Sequence, residues 1–322
     1  MNSRERVLCA LNKGTPDRIP FAEHQIDTYV LNALFGEKNA SDPIFVAESL
    51  GLDVLTFTFL PPLFVDEQVL PDGRKHQTSG RLYSRKDISM LDSLEDPLDP
   101  KLYEPLEWLV RHKGERAVVA KTRLGISAML MSMDLMGFSM ALVDDPEFII
   151  LILRRYLQWC KVAVEQMHKR GADVLWFFDD IAYRSGPMMS PDVFRDFLLP
   201  HVKEVTQNLP LPWIYHSDGE LTPILADLLS LGMNGLHPIE PESMSLKELK
   251  NSIGEKVCLV GNVSVDALSR GSVAEVEAEV RRCMQEGGKS GYMITSSNSI
   301  PSYARPENVM AMARAICRMN VG

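Results

Sequence analysis

Short apolar runs that stop abruptly at polar or charged residues recur along the chain, separated by longer stretches with helical periodicity. The runs predict strands at Arg18–His24, Asp53–Phe59, Ala117–Arg123, Asp173–Asp180, Trp213–Asp218, Gly235–Glu240, Val257–Asn262 and Tyr292–Asn298. Between most of them the periodicity predicts helices: Pro146 to about Lys169, one starting at Ser190-Pro191, and others near Thr222–Leu231, Leu246–Asn251, Val273–Glu286 and Pro306–Met319. Ser190 followed by Pro191 is a capping serine with proline at the first helical position. Residues 1–16 read as an additional N-terminal helix. Residues 66–90 carry the turn signals Pro71-Asp72-Gly73 and Ser79-Gly80 between alternating polar segments and read as a β-hairpin insertion.

Strands alternating with helices in this number predict an α/β fold of the (β/α)8 (TIM) barrel type, with a helical N-terminal extension and the hairpin as additions. A doubly wound open sheet is the rival, but neither G-x-G-x-x-G nor a phosphate-binding loop stands where that fold needs it. No linker or low-complexity segment interrupts the chain, so residues 1–322 are expected to form one domain.

The polar residues gather at the C-terminal ends of the strands, the rim where barrel enzymes build their sites. Trp213-Ile214-Tyr215-His216-Ser217-Asp218-Gly219 is the most informative stretch. Residues i and i+2 of a strand point the same way, so His216 and Asp218 project together from its end. The other ends carry Glu23-His24, Lys121 and Arg123, Asp179-Asp180, His237 and Glu240, Asn262, and Ser296-Ser297-Asn298. Single polar strand ends solvate loops; one of Asp179 and Asp180 is a candidate loop cap, and Lys121 or Arg123 a candidate ion-pair partner for them. The whole set is a candidate site.

Composition narrows the class. With 322 residues and 45% hydrophobic content the chain can bury a large core, and a net charge of −9 argues against nucleic-acid binding. The apolar runs are too short to span a bilayer, and Met1–Arg6 lacks an apolar signal segment. Five cysteines without a C-x-x-C pair read as reduced thiols, and the expected location is the cytoplasm. Several of the 17 methionines cluster in Ala128–Met136, which suits flexible core packing or, less simply, the lining of a flat apolar ligand.

Four segments carry a resemblance to a known family. They are Ser3–Leu8 with Pro16–Pro20; Asp179–Ala182 with Gly186–Pro191; His216–Gly219 with Gly235–Pro241; and Leu259–Val263 with Thr295–Ile300. Through them the chain resembles the uroporphyrinogen decarboxylase superfamily over nearly its whole length, and that resemblance implies the same barrel fold. True decarboxylases of the superfamily carry an arginine-bearing segment on the first strand. Here it reads Phe21-Ala22-Glu23-His24-Gln25, without the cations that a polycarboxylate substrate requires. The thiol-methylating branch carries a zinc site with H-x-C on one strand and a further Cys near the last. Here those positions read His216-Ser217-Asp218 and Thr295–Asn298, without a thiolate.

The chain therefore looks like the substrate-side methyltransferases of corrinoid-dependent demethylation systems. That resemblance implies transfer of a methyl group from a small methylated molecule, with an aryl methyl ether favoured, to the cobalt(I) of a corrinoid (cobalamin) on a separate partner protein. An ether oxygen leaves only when protonated or bound to a Lewis acid. Asp180, His216, Asp218 and Glu240 are the candidate acids; His216, Asp218 and Glu240 are the candidate ligands should a metal ion be bound. Glu23, His24, His237, Asn262 and Asn298 are candidates for orienting the substrate. Tyr215, Trp176, Phe178 and the methionines are candidates for an apolar wall, although Trp176 and Phe178 fit ordinary barrel filling better. A homodimer is plausible from the family. Two alternatives stay open: a decarboxylase of a smaller acid, favoured by Lys121 and Arg123, and a barrel that binds a corrinoid or tetrapyrrole without chemistry.

Overall fold

In the computed structural model, residues 1–69 and 75–320 are described. A seven-stranded parallel sheet is formed by β1 (Val54–Thr58), β4 (Ala117–Thr122), β5 (Val174–Phe178), β8 (Trp213–His216), β9 (Gly235–His237), β10 (Cys258–Val260) and β11 (Tyr292–Met293), in that order, while the two-residue strands β6 (Ala182–Tyr183) and β7 (Gly186–Pro187) pair with each other. The strands are shorter than the sequence predicts. Asp179, Asp180, Asp218, Glu240, Asn262 and Asn298 all lie beyond their ends.

The expected first strand, Arg18–His24, is reduced to a short bridging stretch. Phe21 forms a parallel bridge with Ile294. Around it, Ala22 N donates to Ile294 O, Ile294 N to Pro20 O, and Asp53 N to Phe21 O. The stretch thus bonds to chain next to β11 on one side and next to β1 on the other, closing the TIM-barrel-like wall. Pro20 has no N–H to give, which limits the ladder there.

Asp53 anchors this closure. Buried completely, it accepts from Arg6 Nη1 (2.8 Å), Arg18 Nη2 (2.7 Å) and Phe21 N (2.9 Å). The N-terminal helix Ser3–Leu11 starts with an Asn2/Glu5 capping box. It packs Val7, Ala10 and Leu11 against Val54, Val119, Val174, Ile214 and Val260, the inward side chains of the strands. A larger apolar cluster lies between the strands and the surrounding helices.

The expected hairpin is present as β2 (Val65–Val69) paired antiparallel with β3 (Lys75–Gly80). Its turn signal Pro71-Asp72-Gly73 lies outside the described residues, and Arg85–Ser93 is a 3-10 helix rather than part of the hairpin. Of the predicted helices, Pro146–Lys169 and Pro306–Met319 keep their bounds. The one expected after Ser190 contains a π turn at Val193–Leu198, just before Pro200, whose missing N–H breaks the regular ladder. The methionine-rich stretch is a helix, Ile126–Asp144, that the sequence reading did not anticipate. It is broken at Asp134 (φ 52°), whose carboxylate accepts from Gly137 N and restarts the helix. By length and composition this helix could cross a membrane, but over half of its apolar window is buried inside the protein. The five cysteines are unpaired.

Candidate active site

Alternation along β8 sorts its side chains. Ile214 belongs to the barrel interior and Tyr215 to the layer between strands and helices. His216 faces inward again at the rim. Tyr215, expected near the substrate, is instead fully buried behind the wall, where its hydroxyl donates to Asp179 O (3.0 Å).

Three side chains converge at the rim. His216 Nε2 lies 3.4 Å from Asp180 Oδ1 and 3.6 Å from Asp218 Oδ1. The imidazole is buried, whereas the Asp180 side chain is 48% exposed and that of Asp218 34%, so the cluster opens to the barrel mouth. Asp180 Oδ1 also accepts from Asp218 N (3.0 Å), and Asn298 Nδ2 donates to Asp218 Oδ2 (2.6 Å). Asn298 therefore positions Asp218. Burial disfavours a charged His216, but bonding to Asp180 and the charges of Asp180, Asp218 and Glu240 outweigh it, and the imidazole is held above its ordinary value. Burial pushes Asp218 up to about 6, against the pull of His216. Asp180 is held below its usual range, because its bond to His216 overcomes desolvation.

Behind this cluster sits a layer of rings. His216 Nδ1 is 2.6 Å from His237 Nδ1, so a single proton is shared between them. His24 packs within 5.6 Å, ring centre to ring centre, of Trp176, Phe178, His216 and His237. Burial pushes both His24 and His237 well below the usual histidine value, which keeps them neutral. Trp176 is fully buried barrel filling, whereas Phe178 is only partly buried.

The cluster fits a metal ion. Asp218 Oδ1 is buried without a hydrogen-bond partner among the described residues. Around a tetrahedral ion with bonds of about 2.0–2.1 Å to N and O, neighbouring ligand atoms lie about 3.4 Å apart, close to the separations seen here. One imidazole and two carboxylates form a hard donor set that leaves a position free for substrate. Asp180 completes this set. Glu240 does not lie in it: its Oε2 accepts from Gly219 N (2.9 Å) and supports the turn after Asp218.

The remaining candidates divide in the same way. Asn262 is committed to structure, donating to Ile239 O (2.7 Å) and accepting from Arg282 Nη2 (3.1 Å). Asp179 caps the helix Ile126–Asp144, accepting from Ser127 N (2.7 Å) and Ile126 N (3.2 Å). Of the methionines, Met129 and Met133 are core. Met131, with Leu130, Leu135 and Met188, lines a cavity of about 350 Å³ that reaches Asp180.

Glu23 faces Ser296, a residue without a predicted role. Glu23 Oε1 accepts from Ser296 N (2.7 Å), while Oε2 and Asn298 O each lie 2.6 Å from Ser296 Oγ. One hydroxyl proton cannot serve both oxygens. The arrangement closes when Glu23 is protonated and donates to Ser296 Oγ, which donates to Asn298 O. Burial supports this by pushing Glu23 up to about 8. Glu23→Gln, which keeps a donor there, is expected to melt close to the wild type, whereas Glu23→Ala loses about 1–3 kcal/mol. The wild-type group binds its proton more tightly when folded, so its contribution weakens as pH rises from about 4.5 to 8. Chemical denaturation across that range reads both effects; a flat difference between wild type and Glu23→Gln contradicts a protonated Glu23.

Gly219 is required by close approach. It has φ +87°, and a Cβ there would sit 2.5 Å from Tyr183 O. Gly219→Ala is expected to cost about 1–3 kcal/mol and to displace Asp218. An unchanged melting temperature contradicts this.

Comparison with known proteins agrees with the geometry. The profile of the uroporphyrinogen decarboxylase (URO-D) family matches residues 74–319. The methylcobamide:CoM methyltransferase MtaA of Methanosarcina barkeri is 32% identical over 122 residues, which is 38% of this chain and 35% of that protein. A uroporphyrinogen decarboxylase of Chlorobium phaeovibrioides is 24% identical over 181 residues, 53% of this chain and 49% of its own. The chain thus spans half or less of the length of these relatives. A solved methyltransferase from Methanosarcina mazei superposes with a TM-score of 0.76 at 21% identity, covering 99% of both chains, and shares the fold. The barrel, the polar rim and the family match lead to one conclusion: this chain belongs to the uroporphyrinogen decarboxylase family.

Proposed function

We propose that the protein is a corrinoid-dependent methyltransferase, moving a methyl group from a small methylated donor to the cobalt of a corrinoid carried by a separate protein. The observation that carries this reading is the Asp180–His216–Asp218 cluster, which holds a polarising group at the barrel mouth beside a largely apolar cavity. The similarity to methylcobamide:CoM methyltransferase MtaA supports the reaction class. The missing thiolate ligands turn the proposal away from a thiol substrate and towards an O-methyl donor, with an aryl methyl ether favoured.

The residues divide the work. The cavity beside Asp180 is large enough for a small aromatic molecule, and Leu130, Met131, Leu135 and Met188 give it an apolar wall for the ring. His216 Nε2 is the atom that holds a proton for that heteroatom, with Asp180 and Asp218 stabilising the charged imidazole. His237, through the shared Nδ1 contact, fixes the ring orientation, as the partner of a ligating histidine does. A divalent ion held by Asp180, His216 Nε2 and Asp218 would take the place of that proton and supply Lewis-acid polarisation of the same leaving group. The corrinoid protein docks at the barrel mouth, in the cytoplasm.

The test is an anaerobic assay with reduced cobalamin or corrinoid protein and a panel of methoxylated aromatics, following the cobalt(I) absorption band. Loss of the band that depends on both enzyme and donor supports the proposal. No loss with methoxylated, N-methyl or S-methyl donors overturns it. Lys121 and Arg123 favour the second reading, decarboxylation of a small acid, which would release carbon dioxide without any corrinoid.

A further inference from the structure

Beyond residue 22 the barrel-closing segment parts from β1, and the gap forms a cavity of about 470 Å³ in the barrel wall. Residues 23–26 line one side, and β1 together with the helix Pro43–Leu50 lines the other. The cavity is apolar along Ile26, Leu31, Val46, Leu52 and Leu55, and its polar end holds Lys121.

Lys121 is 4% exposed. Its ammonium has three N–H groups, yet among the described residues its one hydrogen-bond acceptor is His24 O. The Phe178 ring, 5.7 Å away, adds a weak cation–π contact. No carboxylate stands within ion-pairing distance among the described residues, and Glu23, the acid on the same wall, turns both oxygens to Ser296. A buried cation with unused donors and no counter-charge is costly unless something completes it. The Phe178 ring also lies 4.7 Å from the His216 ring, so one side chain separates this ammonium from the reacting cluster.

We propose that this cavity binds a small organic carboxylate, with its anionic end on Lys121 Nζ and its apolar body along Ile26, Val46 and Leu55. This cavity shares no lining residue with the one beside Asp180, so the proposal goes beyond the methyl-transfer reading and does not rest on it. Burial pulls Lys121 down to about 8, which leaves it charged at neutral pH. Among the described residues lining the cavity there is no arginine to clamp both oxygens, so the affinity comes from one point charge and the apolar wall.

The test is calorimetric titration at pH 7, without corrinoid, of 4-methoxybenzoate and of 4-methoxybenzamide, its neutral counterpart. The wild type is expected to bind the acid about tenfold to a hundredfold more tightly than the amide, as a charge-assisted bond provides. Lys121→Met, checked for native folding, is expected to remove that preference by weakening the acid alone. Thr58→Glu, an exposed change at the cavity rim, is expected to weaken the acid several-fold and leave the amide unchanged. Equal binding of both probes by the wild type, binding of neither, or a preference that survives Lys121→Met overturns the proposal. Carboxylate binding that depends on Lys121 leaves this site standing whether or not any donor supports methyl transfer.

Discussion

Replacing His216 with alanine is expected to reduce turnover by about two to four orders of magnitude, the range for loss of a positioned acid or base, with the fold retained. The imidazole joins every part of the cluster: its Nε2 faces Asp180 and Asp218, and its Nδ1 meets His237. Without it, the two carboxylates confront each other across the mouth with nothing between them. Burial, with the charge of Asp180 adding to it, already raises Asp218, and the loss of the compensating ring pushes it higher. The same substitution removes one of the three atoms spaced for a metal ion, so zinc retained after dialysis is expected to fall as well. Steady-state methyl transfer, zinc content and circular dichroism together read the result. Wild-type turnover in a folded variant removes His216 from the site. Asp180→Asn is the companion change, since it keeps the shape and abolishes the charge.

The largest effect on stability is expected at Asp53. Asp53→Ala is predicted to cost about 3–5 kcal/mol, the price of breaking a buried ion pair on one side. Its carboxylate holds Arg6 from the N-terminal helix, Arg18, and the backbone of Phe21, the residue that closes the barrel. Arg6 keeps Asp17 as a partner (2.7 Å), but its second guanidinium nitrogen is left buried and unpaired, as is Phe21 N. Asp53→Asn retains an acceptor and is expected to lose less. Urea denaturation measures both. A shift in midpoint equivalent to less than about 1 kcal/mol for the alanine variant contradicts a closing role. Through this network Arg6 of the segment Ser3–Leu8 and Arg18 of Pro16–Pro20 lock the N-terminal helix to the wall.

The barrel was legible because its elements rest on local rules. Asp145 before Pro146 and the Ser272/Glu275 capping box mark helix starts whatever surrounds them. Alternation on β8 turns His216 inward, with Asp218 reaching it from just past the strand end, and the same rule places Tyr215 behind the wall, a consequence the sequence reading overlooked. The helix Ile126–Asp144 escaped it because an apolar, methionine-rich run with a break at Asp134 has no clear helical face.

The sequence by itself determined which residues gather at the rim, since strand ends and their polar residues follow from short-range periodicity. Only the tertiary structure decided their duties. Of two adjacent acids, Asp179 caps a helix start more than fifty residues away in the chain while Asp180 meets His216. Glu240 supports Gly219, Asn262 turns to Arg282, and Lys121 faces a cavity made by the parting of two distant segments. Backbone periodicity specifies the direction of a side chain, but its partner depends on which remote atoms the folded barrel brings within a hydrogen bond's reach.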